Sequence, residues 1–422
     1  MRKFDTKIIA ALCLLIVLAG LSAFAIFHSH ARVFESIGTY SFFAEGTLAP
    51  PNSLYLAVET EIQGEVPHLD DVRDIHAAAA TLAGKRELQS FYILKDDAGQ
   101  LHQGNFYQAI DPLVGEYAKR IRYLSEHEAA GGAELLFVAA PDKYIPGQTM
   151  LASGYPLNDA AITNLDHLMI RLLENGMDTL DLRASIDRWP LGYGEVFSKT
   201  DRIMTPEAAF YAAADIITCL EERFGILSDP GGFYRDQGNY FVQRFPDAML
   251  GDLGRTAGIP FAGADDLVIP MPDFETRLRR TTRGNIAEEK EGDFGEAIVN
   301  LRALQLDSPG ENSPEDVFMN GYHSRYHITN YKNPEGARIL LIGDETFVPV
   351  AAYLSLMCED VVLLSPLAKG YRHDVIQALN DGEFDCIIIG AAPHSVTDVM
   401  FPFLQEQALT PPESEADDVE EE

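Results

Sequence analysis

GARILLIGDETFVPVAAYLSLMC, residues 336–358, decides how the rest of the chain is read. Residues 338–342 form a short apolar run rich in branched side chains, as a parallel strand buried on both faces requires. Gly343 and Asp344 break the run. From Phe347 to Met357 the apolar residues return at helical spacing, with Phe347, Ala351 and Leu354 on one stripe. A strand turning sharply into a helix places its turn residues at the carboxyl edge of a sheet. It also aims the free N–H groups of the helix at whatever binds there. In α/β proteins that edge holds the chemistry.

Working outward, the same alternation recurs. Residues 134–140 read as a strand that ends in Pro141-Asp142-Lys143. Before it, Asp111-Pro112 opens a helix striped by Leu113, Tyr117, Ile121 and Leu124, with the acid as cap and proline at the first position. After it come a helix over 159–175, a short strand over 179–182, and a helix opened by Thr205-Pro206-Glu207. Strands are expected again at 361–364 and 384–389, with helical spacing at 375–379. Strand–helix alternation of this kind predicts an α/β fold, a flavodoxin-like parallel sheet flanked by helices. Between about 226 and 333 the rhythm changes to short strand-like runs at 240–242, 267–269 and 297–301. That region reads as an inserted, mostly β subregion. Residues 91–101, FYILKDDAGQL, predict a hairpin, residues 70–82 a short helix and 53–62 a strand.

The chain has 422 residues, enough for one large domain or two ordinary ones. Its net charge of −33 argues against nucleic acid, whose phosphates need a basic face. Arg2, Lys3 and Lys7 precede an uncharged run from Ile8 to Phe27, long enough to span a bilayer with the short N-terminus, 1–7, in the cytoplasm. Ala23-Phe24-Ala25 also fits a signal-peptidase site, but the apolar run continues past it, and an uncleaved anchor is expected. Residues 28–85 form a spacer and N-terminal extension, 86–405 the main domain, and 406–422 an acidic tail whose composition does not fold. Cys219, Cys358 and Cys386 have neither disulfide-framework nor zinc spacing and read as small buried side chains.

Three blocks resemble a known family. Apolar strand, Gly-Asp-Ser, helix is the nucleophile block of SGNH-type hydrolases, and Gly343-Asp344-Glu345 is similar to it. Thr200-Asp201-Arg202-Ile203-Met204-Thr205 resembles the Thr-Asp-x-His-Trp-Thr block of the DHHW branch, which includes the alginate-acetylation proteins AlgX and AlgJ. Residues 135–143, LLFVAAPDK, match that branch's strand ending in Pro-Asp-Lys. The likeness runs in order over about 86–405 and implies an SGNH-like fold. It places Glu345 at the nucleophile position, Asp201 at the triad aspartate, and Ile203 and Met204 where His and Trp stand. Asn320 to His323 resembles the family's Gly-x-Asn-His block, which lies near the pocket.

Those replacements bear on activity. An SGNH enzyme needs a serine, a histidine to take its proton and an aspartate to orient that histidine. A carboxylate attacking an ester would give an anhydride, and Ile203 is no base. Losing both partners matters more than losing one, since a triad works as a unit. Thr346 has a hydroxyl at the turn, but a one-residue shift re-aims it. His323, His327, His373 and His394 are possible loop bases, or simply surface and loop histidines. Asp344, Glu345 and Asp201 either converge as three carboxylates able to hold a hard cation, or Asp344 caps the following helix and Glu345 complements its dipole. Lys143 is placed to pair with one of these acids. Arg277, Arg279, Arg280 and Arg283 read as a solvated strand face. No cofactor motif and no confident metal site stand out. The sequence thus predicts an exported, membrane-anchored SGNH-like protein with its catalytic residues replaced. By resemblance, its partners are an envelope polysaccharide or an acyltransferase that O-acetylates it. An active esterase or acetyltransferase with a rearranged site, and a non-catalytic assembly protein, remain alternatives.

Overall fold

The computed structural model describes residues 69–104, 108–126, 132–145, 149–152, 155, 160–283, 287–301, 304, 317–366, 378–379 and 383–401, together with a strand pair, Phe43–Ala44 and Thr47–Leu48. The chain divides into two compact units, Met1–His76 and Ala77–Glu422, and the architecture below is that of the second. The expected anchor over 8–27, the strand over 53–62 and the acidic tail lie outside the described residues. Among the described residues no helix is long and apolar enough to cross a membrane.

An eight-stranded sheet organises this unit. In chain order its strands are β1 (Glu134–Ala139), β2 (Asp178–Asp181), β3 (Leu278–Arg283), β4 (Glu288–Gly292), β5 (Arg325–Asn330), β6 (Arg338–Gly343), β7 (Asp360–Leu364) and β8 (Cys386–Ala391). Their spatial order is β4-β3-β5-β7-β6-β8-β1-β2. The five strands from β7 to β2 are mutually parallel. The expected neighbours therefore stand side by side, with the 338–342 run at the centre. β5 joins β7 antiparallel, and β3 and β4 extend the sheet antiparallel beyond it. Part of the region expected as a separate insert is thus continuous with the central sheet.

Period-two alternation explains why both faces are covered. Leu136, Val138, Ile339, Leu341 and Ile388 point into one apolar cluster, while Leu135, Phe137, Leu340, Ile342, Ile387 and Ile389 point into another. Helices α1 (Asp111–Glu126) and α2 (Ala161–Glu174) fill the second cluster. Helices α3 (Pro206–Phe224) and α4 (Phe347–Met357) fill the first. In α3, Pro206 follows the cap Thr205, whose hydroxyl accepts from the Ala208 N–H, and Gly225 ends the helix at φ 70°. Every residue of α4 is buried, so the stripe expected from its spacing is in fact an apolar surface all round.

Outside the sheet, Ile93–Lys95 and Leu101–Gln103 form the expected hairpin, with Glu87–Leu88 as a third strand. Tyr240–Met249 pairs antiparallel with Asp265–Pro272. Two expectations fail. The run at 297–301 is not a strand: Phe294–Ala297 is a short helix, opened by Asp293 accepting from the Glu296 N–H. The arginine stretch is not a solvated face throughout. Arg280 is buried, donating to the carbonyls of Ala297 and Met319 and to Glu288. Its neighbours Leu278 and Thr282 share that inward face, and full hydrogen bonding is what makes a buried guanidinium tolerable.

Candidate functional site

β6 is followed by β7 on one side of it, and β8 lies on its other side. This reversal of strand order opens a crevice at the carboxyl ends of β6 and β8. Two glycines make the crevice floor possible. Gly343 and Gly390 are paired across β6 and β8. A Cβ on Gly390 would overlap the ring of Phe347, and one on Gly343 would come 2.9 Å from the Cβ of Phe347. Phe347 thus occupies the space two side chains would need, and the turn carrying Glu345 sits directly above it.

Asp344 is fully buried and ties the two strand ends together. Its Oδ1 accepts from the Thr346 N–H at 3.0 Å and its Oδ2 from the Ala392 N–H at 2.9 Å. Burial raises its carboxyl above the ordinary range, and the charge of Glu345 adds to this. Glu345 projects into the crevice. Its Oε1 lies 2.5 Å from Arg202 Nη2 and 3.5 Å from His394 Nε2. Burial opposes its charge, but His394 and Arg202 outweigh that and hold it down at about 2. Burial likewise opposes a charge on His394, yet Glu345 and Asp344 raise it above the usual imidazole value. Position 345 therefore holds a carboxylate paired with Arg202 and flanked by His394. Thr346 is buried beneath it.

Asp201 is buried, and its carboxylate accepts from backbone N–H groups. Its Oδ1 accepts from the Arg202 N–H at 2.7 Å and its Oδ2 from the Asp252 N–H at 3.1 Å. It approaches so closely that a Cβ on Gly251 would collide with it. Ile203 and Met204 are buried and, with Phe318 and Val348, line an apolar recess beside Glu345. Of the two readings of Asp344, Glu345 and Asp201, convergence is not seen, since the three carboxylates take separate partners. Among the described residues no group of His, Cys, Asp and Glu is placed to hold a metal ion.

Lys143 does not pair with an acid either. Its ammonium donates to the carbonyls of Ser198, Lys199 and Asp201 at 2.5, 2.9 and 2.7 Å. Burial lowers it to about 7, although the carboxylates of Asp265 and Asp201 pull the other way. Lys143 thus pins the loop that presents Arg202. His323 bonds through Nε2 to the Asn320 carbonyl at 3.1 Å, while Asn320 reaches Asn300 and Glu288. This knot is built on Arg280 and Glu288, and in the neighbouring Tyr322 burial and then the charge of Glu345 raise the phenol. His327 pairs with Asp360 at 2.9 Å. His373 lies outside the described residues.

The structure adds residues the sequence did not single out. Arg202 lies inside the quoted Thr200–Thr205 block, and its charge was the available signal. Asp96 and His102 come from the hairpin, 3.0 Å apart and both buried. Nothing in the pattern LHQ announces a buried imidazole. His102, Asp142, Arg202 and His394 line one narrow cleft, with about 10 Å³ of free space.

Residues 104–289 match the family described as SGNH hydrolase-like domain, acetyltransferase AlgX. The matched stretch includes Asp201 and Ile203 and stops before Glu345. Among solved structures, Bacillus cereus PatB1 is similar with a TM-score of 0.57 at 14% identity, covering 73% of this chain and 98% of PatB1. Its sulfonyl adduct gives 0.56 at 14%, with 73% and 96% covered. A DHHW family protein from Eubacterium siraeum gives 0.51 at 14%, with 75% and 92% covered. At this identity the likeness establishes the fold. No curated protein matches the sequence.

Proposed function

We propose, from a chain whose residues 104–289 match an SGNH hydrolase-like domain of the AlgX type, that it is an envelope protein of polysaccharide O-acetylation that binds its glycan without turning over esters. One observation carries this reading. Glu345, at the position the resemblance equates with the nucleophile, is held by Arg202 and His394, and Ile203, at the position it equates with the base, is buried. Acyl transfer through a serine ester needs a hydroxyl that can lose its proton to a nearby base. A carboxylate held at about 2 carries no proton to lose, and its Oε1 is engaged by Arg202.

The family description supports the setting, since it names an acetyltransferase. The sequence supports the location: basic residues 2, 3 and 7 precede the apolar run 8–27, which would hold the chain in the membrane. In this arrangement 28–85 is a spacer, 86–405 the exported domain and 406–422 an acidic tail. The partner is the polysaccharide itself or an acyltransferase working on it. The test is binding of the purified full chain to extracted envelope polysaccharide, with acetate measured in the same sample. Binding without acetate release is expected. No binding, or release that Glu345→Ala abolishes, would overturn the reading.

A further inference from the structure

His102 is 2% exposed, and its Nε2 lies 3.0 Å from Asp96 Oδ2. The other oxygen of Asp96 accepts from the Gln100 N–H at 2.8 Å, so the carboxylate is fixed at both ends. A carboxylate only accepts, which places the imidazole proton on Nε2 and leaves a lone pair on Nδ1. Burial lowers His102 below the ordinary imidazole value, more than Asp96 raises it, so the ring is neutral near pH 7. Nδ1 is nevertheless buried with no hydrogen-bond partner among the described residues. Buried polar atoms are nearly always partnered, so an orphaned acceptor calls for a donor.

The cleft it lines defines that donor. Arg202 and His394 line the same cleft as His102. His394 Nε2 is likewise buried without a hydrogen bond, its contact with Glu345 being an ion pair at 3.5 Å. The occupant must donate to one wall and accept from the other. A carboxylate or phosphate cannot donate to His102, and an ammonium cannot accept from His394. A metal cation would meet the charge of Arg202. A neutral hydroxyl does both. The space left for an occupant is about 10 Å³, room for one water-sized group, so a single hydroxyl reaching in from the open side fits and a whole sugar ring does not.

We propose that the Asp96–His102 pair and His394 form a hydroxyl subsite, in which a saccharide hydroxyl donates to His102 Nδ1 and accepts from His394. The saccharide identity rests on the glycan-binding reading above. The hydroxyl chemistry rests on the cleft alone.

The test follows His102 Nδ1 by nitrogen NMR in the full chain labelled at histidine, with the resonance assigned by its loss in His102→Phe. The probes are methyl glucoside, methyl mannoside, methyl galactoside and methyl N-acetylglucosaminide, each beside its fully O-methylated counterpart. At least one free sugar should move the resonance, its O-methylated form should not, and His102→Phe should weaken that sugar about tenfold. Asp96→Asn provides a second variant with the ring retained. Its amide can donate to Nε2 and drive the ring proton to Nδ1, so the response should vanish while the fold persists by circular dichroism. Silence of His102 toward all four sugars, as for a resident water only, or an equal response to O-methylated forms, overturns the subsite. If polysaccharide still binds while His102 is silent, the subsite falls and the glycan reading stands. If His102 responds but no polysaccharide binds, the subsite stands and the glycan reading falls.

Discussion

Arg202 and Glu345, 143 positions apart in the chain, meet at 2.5 Å in the crevice at the carboxyl ends of β6 and β8. Glu345 is the less exposed of the two, at 12% against 34%. A double-mutant cycle on Arg202→Ala and Glu345→Ala, read by urea unfolding at pH 6, should give a coupling of about 1–3 kcal/mol. Arg202→Ala should cost more than Glu345→Ala, because it strips a cation from a carboxylate that stays buried. Strict additivity would mean that the contact is incidental.

The pair of Glu345 and His394 sets a pH window. Glu345 is depressed from 4.5 to about 2, so its contribution is present above 4.5 and lost as pH falls through about 2. His394 is raised above 6.5, so its contribution is full below 6.5 and lost as pH rises through the folded value. The stability difference between the wild type and His394→Asn should therefore be largest between about 4.5 and 6.5 and shrink on both sides. A difference that is flat from pH 4 to 9 would show that His394 does not carry the charge.

Gly390 bears on the crevice floor. Gly390→Ala should destabilise by about 1–3 kcal/mol, since the new methyl overlaps the Phe347 ring. Adding Phe347→Leu should recover part of the loss by making room. Thermal melts of the two variants decide it, and a second substitution that only adds to the damage would contradict the packing.

Lys143 holds the 198–201 loop through three carbonyls. Lys143→Met removes all three donors and should cost about 3 kcal/mol or more. Limited proteolysis should then cut near Lys199 and Arg202 well before the rest of the domain. Unchanged stability and cleavage would show that the loop is held elsewhere.

Much of the fold could be read in the sequence because the sheet core obeys local rules. The 338–342 run, the helix ending at Met357 and the strands near 361 and 386 follow from branched apolar runs and helical spacing. Arg280 was misjudged because the run Leu278–Arg283 carries polar side chains on both faces, and period two cannot say which one turns inward. The helix Phe294–Ala297 spans four residues, too few for periodicity to register. In the site, the Gly343-Asp344-Glu345 turn was legible as a sheet-edge position. The partners of Glu345 were not, because Arg202 and His394 reach it through the strand order rather than through any local spacing. The backbone N–H groups of Arg202 and Asp252 that fix Asp201 were not legible either, since Asp252 lies 51 positions away.

Fixed in this way, Asp201 bears on what restoring a triad should do. Ester hydrolysis by the full chain, compared with Glu345→Ser, Glu345→Ser with Ile203→His, and Glu345→Ala, tests the central claim most directly. The wild type should not exceed buffer, since position 345 carries no hydroxyl and position 203 no base. Glu345→Ser should add little, and adding Ile203→His should recover some rate, because the new imidazole can draw on Asp201, whose oxygens keep lone pairs beyond their two backbone bonds. Hydrolysis well above buffer in the unmodified protein, lost in Glu345→Ala, would contradict the account and make Glu345 a working group of a rearranged site.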